Sequence, residues 1–284
     1  MGILYVVGTP IGNLSDITKR ALEILNSVDY IACEDTRISI NLLRSFNITK
    51  NLVSYHKFNE KTKSVDIIKD LLNGKNIALI SDAGCPCISD PGSILVEEAI
   101  KSNIEVIAIP GPSATITSLM VSGMDTSSFT FYGFLDRENK KNIETLEKIK
   151  KDSSKLAIIY ESPKRILKTL ERIKEILENP YICLCNDLTK KFEKKYYGTT
   201  DIVINSLKNN SNYELGEYVI IISKNDYDIS DENDISIEAL IIDEMIKNNC
   251  SMKDAIKYVS EKYNKSKNIV YNKSIELKNK IRNI

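Results

Sequence analysis

Short apolar runs alternate with amphipathic stretches along most of the chain. Residues 3–7, 30–33, 52–54, 77–80 and 104–109 are almost wholly apolar and three to six residues long, the signature of strands buried on both faces. Between them, residues 16–27, 38–46, 61–73 and 93–102 carry apolar positions at helical spacing, with Ala21, Leu22, Ile24, Leu25 and Val28 forming one such face. A further helix follows residues 110–113 and ends near Ser122. The alternation predicts a parallel sheet with helices on both faces. Around residues 123–128 the pattern turns polar and then restarts: strand 129–132, helix 139–151, strand 155–160, helix 164–178, strand 181–185. A charged segment, 190–195, precedes a helix near 201–207 and a last strand, 218–222. The predicted fold is α/β, with two α/β domains at 1–120 and 121–223 and a helical tail at 235–284.

The tail changes character in charge. Residues 224–234 hold five acids and one base, whereas residues 247–284 hold ten bases and three acids, in a chain of zero formal net charge. A helix at 235–248, a second opened by Ser251 and Asp254 as a capping-box variant, and a third from Lys267 are expected. Asn264 is placed as a left-handed helix end and Ser266 as the next cap. The last two helices read as a helix-turn-helix-like basic module, or equally as a solvated helical hairpin.

Composition narrows the class further. At 284 residues with 42% hydrophobic and 27% charged positions, the chain has the makeup of a globular protein with room for two domains. No apolar run approaches the length of a membrane span, and the N-terminus enters a strand without a basic and apolar leader, so a cytoplasmic location is expected. Six cysteines in a chain this long do not make a disulfide framework. Cys85, Cys87, Cys183 and Cys185 form two pairs that could serve zinc, but the spacing is one residue instead of two to four, so no metal is expected. A serine or cysteine hydrolase is disfavoured, since there is no Gly-x-Ser-x-Gly elbow and His56 is the sole histidine.

The candidate chemistry gathers at strand ends. Residues 77–92 (IALISDAGCPCISDPG) run from a buried strand into a loop with two acids, two glycines and two prolines. Strand, stiff loop and helix in that order place a binding loop at the carboxyl edge of an α/β sheet. The loop at 8–13 (GTPIGN) is neither a Walker A loop nor a dinucleotide fingerprint. Residues 34–37 (EDTR) and 56–60 (HKFNE) set charged and polar groups at two more strand ends. Asp82, Gly84, Cys85 and Pro86, with Ser113 and Ala114 after the Pro-Gly-Pro turn, are the residues expected to bind a polar ligand. Glu34, Asp35, Arg37, His56 and Glu60 are the expected catalytic group.

Taken in order, residues 8–14 (GTPIGNL), 16–18 (DIT), 34–37 (EDTR), His56 with Asn59 and Glu60, 81–84 (SDAG), 90–92 (DPG), 110–112 (PGP), 160–162 (YES), 188–190 (LTK) and 216–217 (GE) resemble one family. It is the ribosomal RNA small subunit methyltransferase I family of the tetrapyrrole methylase superfamily. The likeness covers about residues 3–223. The resemblance makes the polar ligand the cofactor S-adenosylmethionine and implies two α/β domains holding it in the cleft between them, a homodimer, and methyl transfer to the ribose 2′-hydroxyl of a cytidine in the decoding region of 16S ribosomal RNA in the small subunit. The family usually has Thr where Cys85 stands and no cysteine at position 87; a role resting on the threonine hydroxyl is lost here. Methylation of a tetrapyrrole ring is the rival within the superfamily, and a binding-only RNA module is the rival outside it.

Overall fold

The computed structural model describes residues 1–224, 236–262 and 267–282. The chain divides into two compact units, Met1–Asp226 and Tyr227–Ile284.

The first sheet of the larger unit is parallel throughout. It is built from β1 (Ile3–Val7), β2 (Tyr30–Cys33), β3 (Leu52–Ser54), β4 (Ile77–Ile80) and β5 (Glu105–Ile109), in the order β3-β2-β4-β1-β5. The helices between them are α1 (Lys19–Ser27), α2 (Thr36–Ser45), α3 (Glu60–Leu72) and α4 (Ser93–Lys101), and α5 (Ala114–Met120) follows β5. Side chains of a strand alternate between faces, so Ile77 and Leu79 enter one apolar cluster while Ala78 and Ile80 enter the other. Helices cover both faces, which is why β4 has no polar residue. Because all five strands run the same way, the loops that follow them emerge at one edge.

The second sheet differs from the parallel arrangement expected of a repeated strand-helix alternation. Its strands are β6 (Phe129–Phe134), β7 (Leu156–Glu161), β8 (Tyr181–Asn186), β9 (Lys194–Thr199) and β10 (Tyr218–Ser223), in the order β6-β7-β10-β8-β9. Only β6 and β7, joined through α6 (Asn139–Lys151), are parallel; β10 runs antiparallel between β7 and β8, and β9 antiparallel to β8. The strand β9 was hidden in a segment that reads as charged (KKYYGT) because it lies at the sheet edge, where exposed lysines discourage edge-to-edge pairing. One face of this sheet packs on α6, α7 (Ile166–Ile176) and α8 (Thr200–Lys208) through Leu146, Leu170, Ile173 and Val203. The other face, with Ile158, Cys183, Cys185 and Ile221, meets Leu119, Ala114 and Ile11 from the first half of the chain. That apolar contact sets the carboxyl edge of the first sheet against the second.

Helix starts follow local chemistry. Thr18, not Asp16, caps α1 by accepting the Ala21 N–H, and residues 14–16 form a 3₁₀ turn instead of its first turn. Asp35 caps α2 in the same way. The smaller unit is a three-helix cluster of α9 (Ile237–Lys247), α10 (Met252–Lys262) and α11 (Lys267–Arg282). Its own core holds Leu240, Ile241, Ala255, Val259, Val270 and Leu277. The Ser251 hydroxyl accepts the Asp254 N–H at 3.3 Å and donates to its carboxylate, the cap expected there. The expected acidic linker and the roles given to Asn264 and Ser266 lie outside the described residues. Among the described residues no helix is long and apolar enough to cross a membrane.

Candidate active site

Glycines let the loops after β1, β4 and β5 approach one another. A Cβ on Gly8 would lie 2.8 Å from the Gly111 Cα, so both positions exclude any side chain without backbone movement. Thr9 and Gly84 exchange two backbone hydrogen bonds, at 2.8 and 3.1 Å, in an isolated antiparallel bridge. Gly84 has φ +83°, in the left-handed region that glycine adopts without strain. The Thr9 hydroxyl adds bonds to the carbonyls of Ser81 and Gly84. The edge of the first sheet is thus a stapled set of loops.

Between these loops and the second sheet lies a cavity of about 460 Å³. From the first half it is lined by Ile11, Glu34, Asp82, Gly84, Cys85, Asp90, Ser113 and Ala114, and from the second by Phe134, Tyr160, Glu161, Ser162, Leu188 and Glu217. Five of the six expected cofactor residues stand on its wall; Pro86 is buried off the wall. The Ser113 side chain caps α5 through the Ile116 N–H, and the Cys85 thiol points at the Pro112 carbonyl, 3.5 Å away. Neither hydroxyl nor thiol is therefore free to reach far into the space, and the wall offers mainly backbone groups there.

The expected catalytic residues divide. Glu34 lines the cavity; Asp35, Arg37, His56 and Glu60 do not. Asp35 caps α2 and holds Arg37 in a fork, with Nη2 at 2.6 Å and Nε at 3.0 Å. The guanidinium keeps the Asp35 carboxyl well below the usual carboxylate range. The Asp35 N–H donates to Asp82 Oδ1 at 3.0 Å, tying the loop after β2 to the loop after β4. His56 sits in the neighbouring loop, its N–H donating to Asn59 Oδ1 at 2.8 Å. Glu60 opens α3, and Asn59 before it turns its side chain back to the His56 N–H and the Ser54 carbonyl instead of capping the helix.

Asp90 belongs to a motif of the family resemblance (DPG, 90–92) but is absent from the expected site residues, because locally it reads as the end of a turn. It lines the cavity with Glu34 and Asp82, and burial, reinforced by those two carboxylates, pushes its pKa up to about 6. Burial and then Asp82 raise Glu34, partly offset by His56, and burial raises Asp82. Three carboxylates short of solvation favour a ligand that brings positive charge. Tyr160, whose motif carries the family resemblance without a role of its own, accepts the Thr115 N–H at 3.1 Å and shares a 2.7 Å bond with its hydroxyl, joining β7 to α5. Its ring meets Phe131 and Phe134 edge-on, with centroids 4.8 and 5.6 Å away. Glu161, 1% exposed, accepts from Ser162 N–H, Arg165 Nε and the Thr169 hydroxyl, and so fixes the turn at Ser162. Lys190 bridges Asp187 and Glu217 at 2.7 and 2.8 Å, and of these three only Glu217 lines the cavity. Cys183 and Cys185 point to one face of β8, with their sulfurs 3.7 Å apart in the apolar core. Among the described residues no three His, Cys, Asp or Glu side chains are gathered as a metal ion requires.

The tetrapyrrole (corrin/porphyrin) methylases match residues 3–202 of this chain as a family. The chain is 41% identical over 275 residues to ribosomal RNA small subunit methyltransferase I of Halalkalibacterium halodurans, covering 95% of this chain and 94% of the relative. It is 43% identical over 272 residues to the protein of the same name from Haemophilus influenzae, covering 95% of each. The chain belongs to the ribosomal RNA small subunit methyltransferase I family of tetrapyrrole methylases. Two solved structures share its fold: a uroporphyrin-III-C-methyltransferase from Thermus thermophilus (TM-score 0.55, 15% identity, 79% of this chain and 95% of that one) and a diphthine synthase (TM-score 0.60, 13% identity, 78% and 90%). As a member of the methyltransferase I family, the chain is an enzyme that uses S-adenosylmethionine. The cavity fits that cofactor: carboxylates suit its sulfonium and ammonium charges, Ile11, Leu188, Phe134 and Tyr160 suit a flat base, and the stapled loops present backbone polar groups.

Proposed function

We propose that this enzyme methylates the ribose 2′-hydroxyl of a cytidine in the decoding region of 16S ribosomal RNA, using the cavity between its two sheets. The observation that carries the reading is the position of Glu34, a carboxylate from the sheet edge that faces Asp82 and Asp90 on the cavity wall. Bound S-adenosylmethionine supplies an electrophilic methyl group on a positively charged sulfur. Asp82, Gly84, Cys85, Ser113 and Ala114 hold the cofactor, with Pro86 stiffening the loop from behind. Asp82 and Asp90 favour its positive charge, and Tyr160 and Phe134 close the space around it. Most of the rate then comes from holding the acceptor oxygen in line with the methyl group.

A ribose hydroxyl is a weak nucleophile until its proton leaves. Glu34 is the proposed acceptor, since a raised carboxylate is a better base near neutral pH than an ordinary one. His56, in the loop beside it, is the alternative acceptor, with Glu60 behind it at the start of α3. Asp35 and Arg37 orient the nucleotide from the rim. The same reading carries a homodimer acting in the cytoplasm on the small subunit, with the basic tail gripping phosphates. The test is incubation of the enzyme with under-methylated small subunits and methyl-labelled S-adenosylmethionine. Label on one cytidine ribose is the expected result; label on a base, or no transfer to RNA, contradicts the proposal.

A further inference from the structure

The most exposed large apolar side chain in the larger unit belongs to Phe58, 95% exposed at the tip of the loop after β3. That exposure is not the looseness of a surface tip. The Asn59 side chain clamps the loop at both ends, accepting the His56 N–H at 2.8 Å and donating to the Ser54 carbonyl at 3.0 Å. The His56 carbonyl accepts the N–H groups of Asn59 and Glu60, both at 2.9 Å. The Phe58 N–H reaches His56 Nδ1 at 3.3 Å, and the two rings meet edge-on with centroids 6.1 Å apart. Below, Tyr55 is buried, with its hydroxyl on Ser64. A phenyl ring is thus held out in water on a fixed scaffold, at an entropy cost already met by folding.

The loop's place in the sheet gives the ring a use. Cys33 and Ser54 are register partners on β2 and β3, and the Tyr55 N–H bonds the Cys33 carbonyl at 2.8 Å. The loop bearing Phe58 therefore leaves the sheet beside the loop bearing Glu34, which lines the cavity. Each of these two loops leads to an exposed cation: Lys57 precedes Phe58 in the chain, and Arg37, 89% exposed, follows Glu34 and bonds Asp35 through Nε and Nη2. An exposed aromatic face, with cations on its own loop and on the neighbouring one, beside a site for methyl transfer to RNA, matches what a single-stranded nucleic acid needs: a stacking platform and charge for its phosphates.

We propose that Phe58 stacks on an unpaired base of the RNA substrate and so sets the acceptor ribose at the mouth of the cavity. The proposal rests on the ribosomal RNA reading above and adds a recognition contact to it. A second copy of this chain is the competing occupant of the ring.

The protein contains no tryptophan. Phe58→Trp therefore installs a single indole reporter at the position in question. Titrating this variant with a short single-stranded oligoribonucleotide of the target sequence should quench its emission, as stacking on a base does. Phe58→Ala and Phe58→Leu should each raise KM for the RNA by about 5- to 150-fold, the range that loss of one base–aromatic stack converts to, with S-adenosylmethionine affinity unchanged. Leucine keeps the apolar bulk and loses the π face, so full activity in Phe58→Leu overturns the proposal. So does unquenched emission in Phe58→Trp, or a change of oligomeric state in Phe58→Ala, which would place the ring between two chains. If wild-type enzyme transfers no methyl to RNA at all, the parent reading fails; wild-type transfer with unaltered KM in both variants sinks this one alone.

Discussion

At the scale of single residues, the cavity is governed by carboxylates that water cannot fully solvate. Asp90, with a pKa pushed up to about 6 from an ordinary 3.8, binds a proton in the folded protein that it would not bind unfolded across that interval. Its contribution to stability is therefore greatest at low pH and is lost as the pH rises through about 6. A cationic ligand reverses the preference, because it favours the ionised form. S-adenosylmethionine affinity should consequently weaken as the pH falls below about 6, by up to roughly tenfold per pH unit, and Asp90→Asn should flatten that dependence. Calorimetric titrations across pH 5 to 8, a range of about three units chosen to bracket that value, measure both. Glu34 and Asp82 were legible as residues of the cavity wall because acids at the ends of buried strands are out of place in a core. Asp90 was not, since an Asp-Pro-Gly triplet reads equally well as a turn; its role comes from chain crossings no local pattern encodes. His56, by contrast, stood out as the sole histidine, yet the structure seats it beside the cavity wall and not on it.

At the scale of elements, the site depends on how loops are pinned. Gly8 and Gly111 touch backbone to backbone, so Gly111→Ala forces the loops after β1 and β5 apart. A cost of about 1–3 kcal/mol, typical of overpacking, should appear as a lower urea midpoint. On the second sheet, Glu161→Gln breaks a buried carboxylate bonded to Arg165, Thr169 and Ser162. The loss should be roughly 2–3 kcal/mol, below that of a wholly buried pair because Arg165 stays partly hydrated. Element positions in the first sheet could be read because its strands are almost wholly apolar and its helices have clear faces. The pairing in the second sheet could not: the sense reverses where β8 passes to β9 with no helix between, and β9 shows lysines where a buried strand would show valine or isoleucine.

At the scale of the molecule, the two units carry different tasks. The larger holds the cavity, and the three helices of the smaller carry the excess of basic residues between 247 and 284. Deleting residues 236–284 should leave S-adenosylmethionine affinity unchanged. It should weaken RNA binding and reduce its salt slope by about 0.7 for each phosphate no longer neutralised, as read from binding isotherms at several salt concentrations. Fold class and the small subunit methyltransferase I family were visible in ordered motifs spread over the whole first unit, while the shape of the tail was read only as far as its helices. The central claim is that the cavity between the sheets is the S-adenosylmethionine site. Calorimetric titration of wild-type enzyme, Gly84→Val and Ala114→Leu with S-adenosylmethionine tests it most directly. Valine at Gly84 combines a φ of +83° with Ile11 Cγ2 at 3.4 Å from its Cβ, and leucine at Ala114 fills the wall from the opposite loop without backbone strain. Saturable binding by the wild type, abolished in both variants while their thermal unfolding stays cooperative, is the predicted result; undiminished affinity in a folded Ala114→Leu protein would contradict it.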